Sequence, residues 1–184
     1  MKSLVPIIFL YFLIYACGQS TTNGIKNRKL EIKSTSIIDQ QKSTDSIFLN
    51  FVVSFATQQI YIGELVISKG NSSSVRELAR MIIKEQQLLL SSAKELAALK
   101  KIEISYIQMA NETIDYNKLN QINEIKFNST YSNNLASELL NSIQVYEKAA
   151  VESKDIDIKN WTNDVLSVLR IQYENTLKYQ KSYL

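Results

Sequence analysis

Apolar residues recur along most of this chain at the three- and four-residue spacings of an α-helix, and four long segments carry the pattern with few breakers. In the first, Ile47, Phe51, Phe55, Ile62 and Leu65 define a stripe, and Gly70 stands where a left-handed C-cap would stop the helix. Ser74-Val75-Arg76-Glu77 then reads as a capping box, in which the serine hydroxyl and the glutamate each satisfy an orphan backbone amide. The second stripe runs through Val75, Leu78, Ile82, Leu89, Ala93 and Leu96. The third carries Tyr131, Leu135, Leu139, Ile143, Tyr146 and Ala150, and the fourth, capped by Asp155 or Asp157, carries Ile158, Trp161, Val165, Val168 and Leu169.

The pattern predicts helices over about 46–69, 74–99, 128–152 and 156–181. At 1.5 Å per residue each is roughly 33 to 42 Å long. Helices of matched length with one apolar face each bury it best against one another, so the expected domain, 46–184, is an all-α antiparallel four-helix bundle. The links within the first and last pairs are short and predict helical hairpins, whereas 100–127 is long and mixed, with a short helix expected near Tyr116 to Glu124. That length carries the chain back along the bundle, giving the one long crossover of ferritin-like folds.

The N-terminus has a different pattern. Lys2 precedes an apolar run from Leu4 to Ala16, followed by Cys17 and Gly18. Thirteen apolar residues are too few for a hydrocarbon core that needs about 20, but suit the core of a signal peptide over 1–16. Ile14-Tyr15-Ala16-Cys17-Gly18 resembles the lipobox of bacterial lipoproteins, which implies acylation of Cys17 and, with Gly18 next, an outer-membrane address. The alternative is an incidental thiol beside an ordinary cleavage site. Cys17 is the only cysteine, so it has no disulfide partner within the chain. The polar stretch that follows predicts a flexible, mildly basic tether over 17–45.

Composition narrows the chemistry. The 184 residues include no histidine, which removes imidazole as base, nucleophile partner or metal ligand. Four glycines and one proline are too few for glycine-loop nucleotide sites or turn-rich β folds. From Ser46 onward there are 15 basic and 15 acidic residues, so the whole net charge of +3 lies ahead of the domain. A neutral domain lacks the basic stripe that nucleic-acid binding needs. Ten tyrosines and Trp161 invite ligand stacking, yet Tyr131, Tyr146 and Trp161 fall on core stripes; Tyr173, Tyr179 and Tyr183 are left as a candidate contact surface. Asn71, Asn111, Asn128 and Asn160 open Asn-x-Ser/Thr triplets that capping or ordinary polarity explains.

Phe51-Val52-Val53-Ser54, Ile62-Gly63-Glu64-Leu65, Leu78-Ala79-Arg80-Met81, Tyr131, and Asp157-Ile158-Lys159 leading to Leu169-Arg170 together resemble the bacterial exported domain-of-unknown-function family 4142. The resemblance implies a ferritin-like four-helix bundle. It also implies an Asp-His pair in the second helix, another in the third, and a histidine in the fourth after Leu-Arg. Here those positions read Glu85-Gln86, Glu138-Leu139 and Gln172, so the three ligand-like positions are Gln86, Leu139 and Gln172. A leucine cannot coordinate a metal.

Helical phase places Gln86 and Gln172 inward, where each amide needs a partner: the other glutamine, Glu85, Tyr131 or a trapped water. Placed at the bundle edge, they would simply be solvated. Carboxylates alone could in principle bind a hard cation, with Glu64, Glu85, Glu138, Glu147 and Asp164 as candidates, although charges on amphipathic helices are mostly the solvated face. The expectation is therefore a membrane-anchored envelope lipoprotein without catalytic residues, metal or cofactor, its bundle serving as a binding or structural module. The alternative is a metal-binding protein or enzyme using Glu64, Glu85 and Glu138. A carrier of small apolar molecules would require a cavity in the core.

Overall fold

A computed structural model describes the backbone of residues 22–105 and 110–181 and the side chains of 44–105 and 116–181. Five helices and no strand occur among the described residues: α1 (Thr22–Lys69), α2 (Ser73–Leu99), α3 (Ala110–Gln121), α4 (Glu124–Glu152) and α5 (Ile156–Lys181). The chain divides into two units, Met1–Gln40 and Gln41–Leu184. In the first unit α1 is already under way from Thr22, inside the segment expected to be a tether. Between Ile25 and Ile62 there is neither glycine nor proline to stop it. The signal segment 1–16 and Cys17 lie outside the described residues.

The second unit is the helical bundle, and its helix directions follow from the side chains that meet. Along α1 and α4, Asn71 lies beside Asn128, Gln59 beside Glu138 and Phe48 beside Tyr146, so these helices are antiparallel. Along α2 and α5, Gln86 meets Gln172, Ser92 meets Trp161 and Lys100 meets Asp155, again antiparallel. The short links at 70–72 and 153–155 make hairpins of α1 with α2 and of α4 with α5. It follows that α2 and α4 run parallel, and the chain between them must return along the full bundle. It does so beside α1: Ser105 N donates to Asn50 Oδ1 (2.9 Å), Tyr116 stacks on Tyr61 (4.3 Å between ring centres), and Lys69 donates to Asn120. The short helix expected near Tyr116 to Glu124 is α3, which starts earlier, at Ala110, and ends at Gln121. Helix α4 begins at Glu124, four residues before the expected start, because Asn123 caps it by accepting from Lys126 N (3.1 Å).

Enclosure by α2, α4 and the crossover explains why α1 is apolar around so much of its surface. Residues Thr44–Lys69 are apolar enough by composition to cross a membrane, with mean hydropathy 1.3, but Leu49, Val52, Ala56 and Val66 are fully buried in the bundle. The stripe expected from Ile47 is rotated: Ile47 is exposed and Phe48 takes the core position. There Phe48 packs edge-on against Tyr146 (5.1 Å) and Trp161 (6.4 Å), while the Trp161 indole N–H reaches Ser92 Oγ on α2 (3.2 Å). Four helices thus meet at one aromatic layer.

The helix ends depart from the sequence reading in instructive ways. The N-cap of α2 is Ser72, not Ser74: its Oγ accepts from Val75 N (3.1 Å), and Val75 is fully buried. The core thereby chooses one serine from a run of three, and Ser74 falls inside the helix. Gly70 is not left-handed, since no described glycine has positive φ. It is needed because a Cβ there would lie 2.6 Å from both Val66 O and Val75 Cγ1. The left-handed residue is Lys101 (φ 54°), at the C′ position of a Schellman motif in which Ile102 N donates to Ala97 O (2.9 Å) and Lys101 N to Ala98 O (3.1 Å). Asp155 caps α5, accepting from Asp157 N (3.0 Å) and Ile158 N (3.2 Å). Lys100 bridges Asp155 (2.8 Å) and Asp157 (2.5 Å), joining the end of α2 to the start of α5. Desolvation pushes the Asp155 carboxyl up, but the hydrogen bond from Lys100 and the two backbone amides outweigh it and hold its pKa below the usual value. Asn71 and Asn128 cap nothing and instead pair with each other, tying the α1–α2 turn to the first turns of α4.

Two substitutions separate close approach from left-handedness as reasons for glycine. Gly70→Ala should destabilise by about 1 to 3 kcal/mol through overpacking, and Gly70→Asn should not rescue it. Lys101→Gly should stabilise by about 1 kcal/mol by relieving the left-handed penalty. Urea unfolding at constant m-value measures both.

Candidate functional site

The ligand-like positions lie in the interior of the bundle. Gln86 on α2 and Gln172 on α5 are 0% and 2% exposed, and Gln86 Nε2 donates to Gln172 Oε1 at 3.0 Å. The edge placement, with solvated amides, is therefore overturned. Both side chains sit inward because they continue the apolar phase of their helices, Gln86 between Ile82 and Leu89 and Gln172 after Leu169. The pairing is one-sided: Gln86 Oε1 and Gln172 Nε2 are buried without a partner among the described residues. One is an acceptor and the other a donor, so a small rotation toward a cyclic amide pair would satisfy both. Leu139 on α4 is fully buried, between Leu135 and Ile143.

A second polar cluster joins α1 to α4. Gln59, 1% exposed, donates from Nε2 to Glu138 Oε2. Tyr131, about two turns before Glu138 on the same side of α4, is also 1% exposed. Burial, the Glu138 carboxylate and Tyr179 all push its phenol above the usual range, so it stays protonated as a hydrogen-bond donor. Burial alone does the same for Tyr146. Gln59 was missed in the sequence, although its position four residues after Phe55 and seven before Val66 is an inward phase that could have flagged it.

The carboxylates do not gather. Glu64, Glu147 and Asp164 are exposed on three helices, Glu85 is half-buried at the flank of α2, and only Glu138 enters the polar interior. Glu147 pairs with Arg170 instead (2.7 Å). Among the described residues no three acidic, histidine or cysteine side chains are grouped so as to hold a metal. The set Glu64, Glu85 and Glu138 is thus not one site, because helical phase turns Glu64 outward and leaves Glu85 at a flank. Tyr173 and Tyr179 pack partly buried against the core and not as a free surface, while Tyr183 lies outside the described residues.

Two hollows accompany these clusters. One, of about 10 Å³, lies against Gln59, Tyr131, Asn134 and Glu138. The other is an open apolar groove of about 570 Å³ on the flank formed by α1, α2 and residues 102–104, lined by Val53, Leu90, Ala97 and Ile102 with Lys94 at its edge. It is not a cavity of the core.

A family model for a domain of unknown function, DUF4142, matches residues 33–177. No curated protein and no solved structure matches the chain.

The amide pair makes a quantitative prediction. Gln172→Leu leaves the Gln86 amide buried without its partner and should cost about 1 to 3 kcal/mol. Adding Gln86→Leu should recover most of that loss, since two apolar groups of similar shape leave nothing unsatisfied. A double-mutant cycle by urea unfolding should give a coupling of about 1 kcal/mol or more.

Proposed function

We propose that this chain, which belongs to the DUF4142 family, is a cell-envelope lipoprotein whose helical bundle is a binding or structural module and not an enzyme. The observation that carries this reading is what fills the ligand-like positions. Gln86 and Gln172 spend their amides on each other, and Leu139 is an apolar side chain sealed in the core. Catalysis of the kinds open to such bundles needs a nucleophile, a base or a metal exposed to a substrate. The polar groups brought together here are two amides that bond to each other, a third amide bonded to one half-buried carboxylate, and buried phenols.

Anchoring rests on the N-terminal residues: Lys2, the apolar run to Ala16, and Cys17 followed by Gly18. Each buried acyl CH₂ contributes about 0.8 kcal/mol, so a multiply acylated Cys17 would hold the protein to the membrane durably. The address favoured by Gly18 is the outer membrane, facing the periplasm. The membrane is then the first partner, reached through lipid. A neutral bundle gives nucleic acid no electrostatic footing.

Metabolic labelling with an alkyne fatty acid tests the anchor. The full-length protein should carry the label and sediment with outer membranes, and Cys17→Ser should lose both properties. Unlabelled wild-type protein, or a labelled Cys17→Ser variant, would overturn the assignment.

A further inference from the structure

We infer that the small cavity beside Tyr131 holds one resident water molecule that bridges Tyr131 Oη to the Glu138 carboxylate. Its volume, about 10 Å³, is that of roughly one water-sized probe. Four of its seven lining residues, Gln59, Tyr131, Asn134 and Glu138, carry polar side chains, and Ile62, Leu119 and Leu135 close the rest. Much of its wall is hydrocarbon, but a space of this size that also offers a water two to four polar partners is where a buried water is held, whereas one lined by hydrocarbon alone stays dry.

The demand for a guest comes from Tyr131. Its ring is 1% exposed and its hydroxyl is buried with no hydrogen-bond partner among the described residues. The phenol is a donor with lone pairs to spare, and the Glu138 carboxylate, already accepting from Gln59 Nε2, has further acceptor sites. A water between them accepts a hydrogen bond from the tyrosine hydroxyl and donates one to the Glu138 carboxylate. Both groups are then satisfied, and α1 and α4 are joined in a chain from Gln59 through Glu138 to Tyr131. A bare cation fits less well, because hard cations collect six or more oxygens and the Gln59 amide nitrogen is turned toward Glu138. Glu138, neighbour of the ligand-like position Leu139, thereby works as a structural acceptor. This inference is independent of the lipid anchor.

Oxygen-17 relaxation dispersion on the full-length protein counts waters with long residence times. The wild type should show at least one, and Tyr131→Phe should show one fewer, with an unfolding equilibrium constant raised about five-fold. A wild type with none, or a Tyr131→Phe variant with the same count or greater stability, would overturn the inference. Should that variant fail to fold, diffraction from wild-type crystals decides. Density within hydrogen-bond distance of both Tyr131 Oη and Glu138 supports the water; an empty cavity, or an anomalous peak there in a thallium(I) salt, refutes it.

Discussion

A polar group taken into a core must find a partner there, and in this bundle that requirement links the helices in two antiparallel pairs. Gln86 binds Gln172 across α2 and α5, and Gln59 binds Glu138 across α1 and α4. Hydrophobic burial brings the four helices together, but it is nearly indifferent to axial sliding by a turn. The amide contacts are directional, so they fix which turn of one helix faces which turn of another. The aromatic layer of Phe48, Tyr146 and Trp161, with Trp161 reaching Ser92, sets the same registers about three turns away.

Topology follows from those pairings. With α1 antiparallel to α4 and α2 antiparallel to α5, the second and third long helices run parallel and cannot be joined by a tight turn. The crossover with α3 is the consequence, and its path past Asn50, Tyr61 and Lys69 gives α1 a third covered side. A helix covered on three sides needs apolar residues around most of its circumference. This accounts for a segment, Thr44–Lys69, with the composition of a membrane span and the burial of a core helix.

The interior also shows how a ferritin-like arrangement is stabilised without metal-binding side chains at the positions that the family resemblance singles out. Two are taken by amides that bond to each other and one by a leucine between Leu135 and Ile143. The cost is visible in atoms left over, Gln86 Oε1, Gln172 Nε2 and the Tyr131 hydroxyl, each buried without a partner among the described residues.

Four long helices, their inward faces and the all-α class were legible because helical periodicity is a local property, repeated many times in each segment. The inward phase of Gln86 and Gln172 was legible for the same reason, whereas Gln59 went unnoticed between more conspicuous hydrophobes. What only the tertiary structure decided is which of several locally equivalent choices is taken. Ser72 outcompetes Ser74 as a cap because Val75 must be buried; Gly70 is required by the proximity of Val75 and not by its own backbone angle; Lys101 accepts the left-handed turn so that Ile102 can pack. The sequence by itself determined that Gln86 and Gln172 needed partners. That they are each other's partner depends on the antiparallel alignment of α2 with α5, a long-range relation that no local spacing encodes.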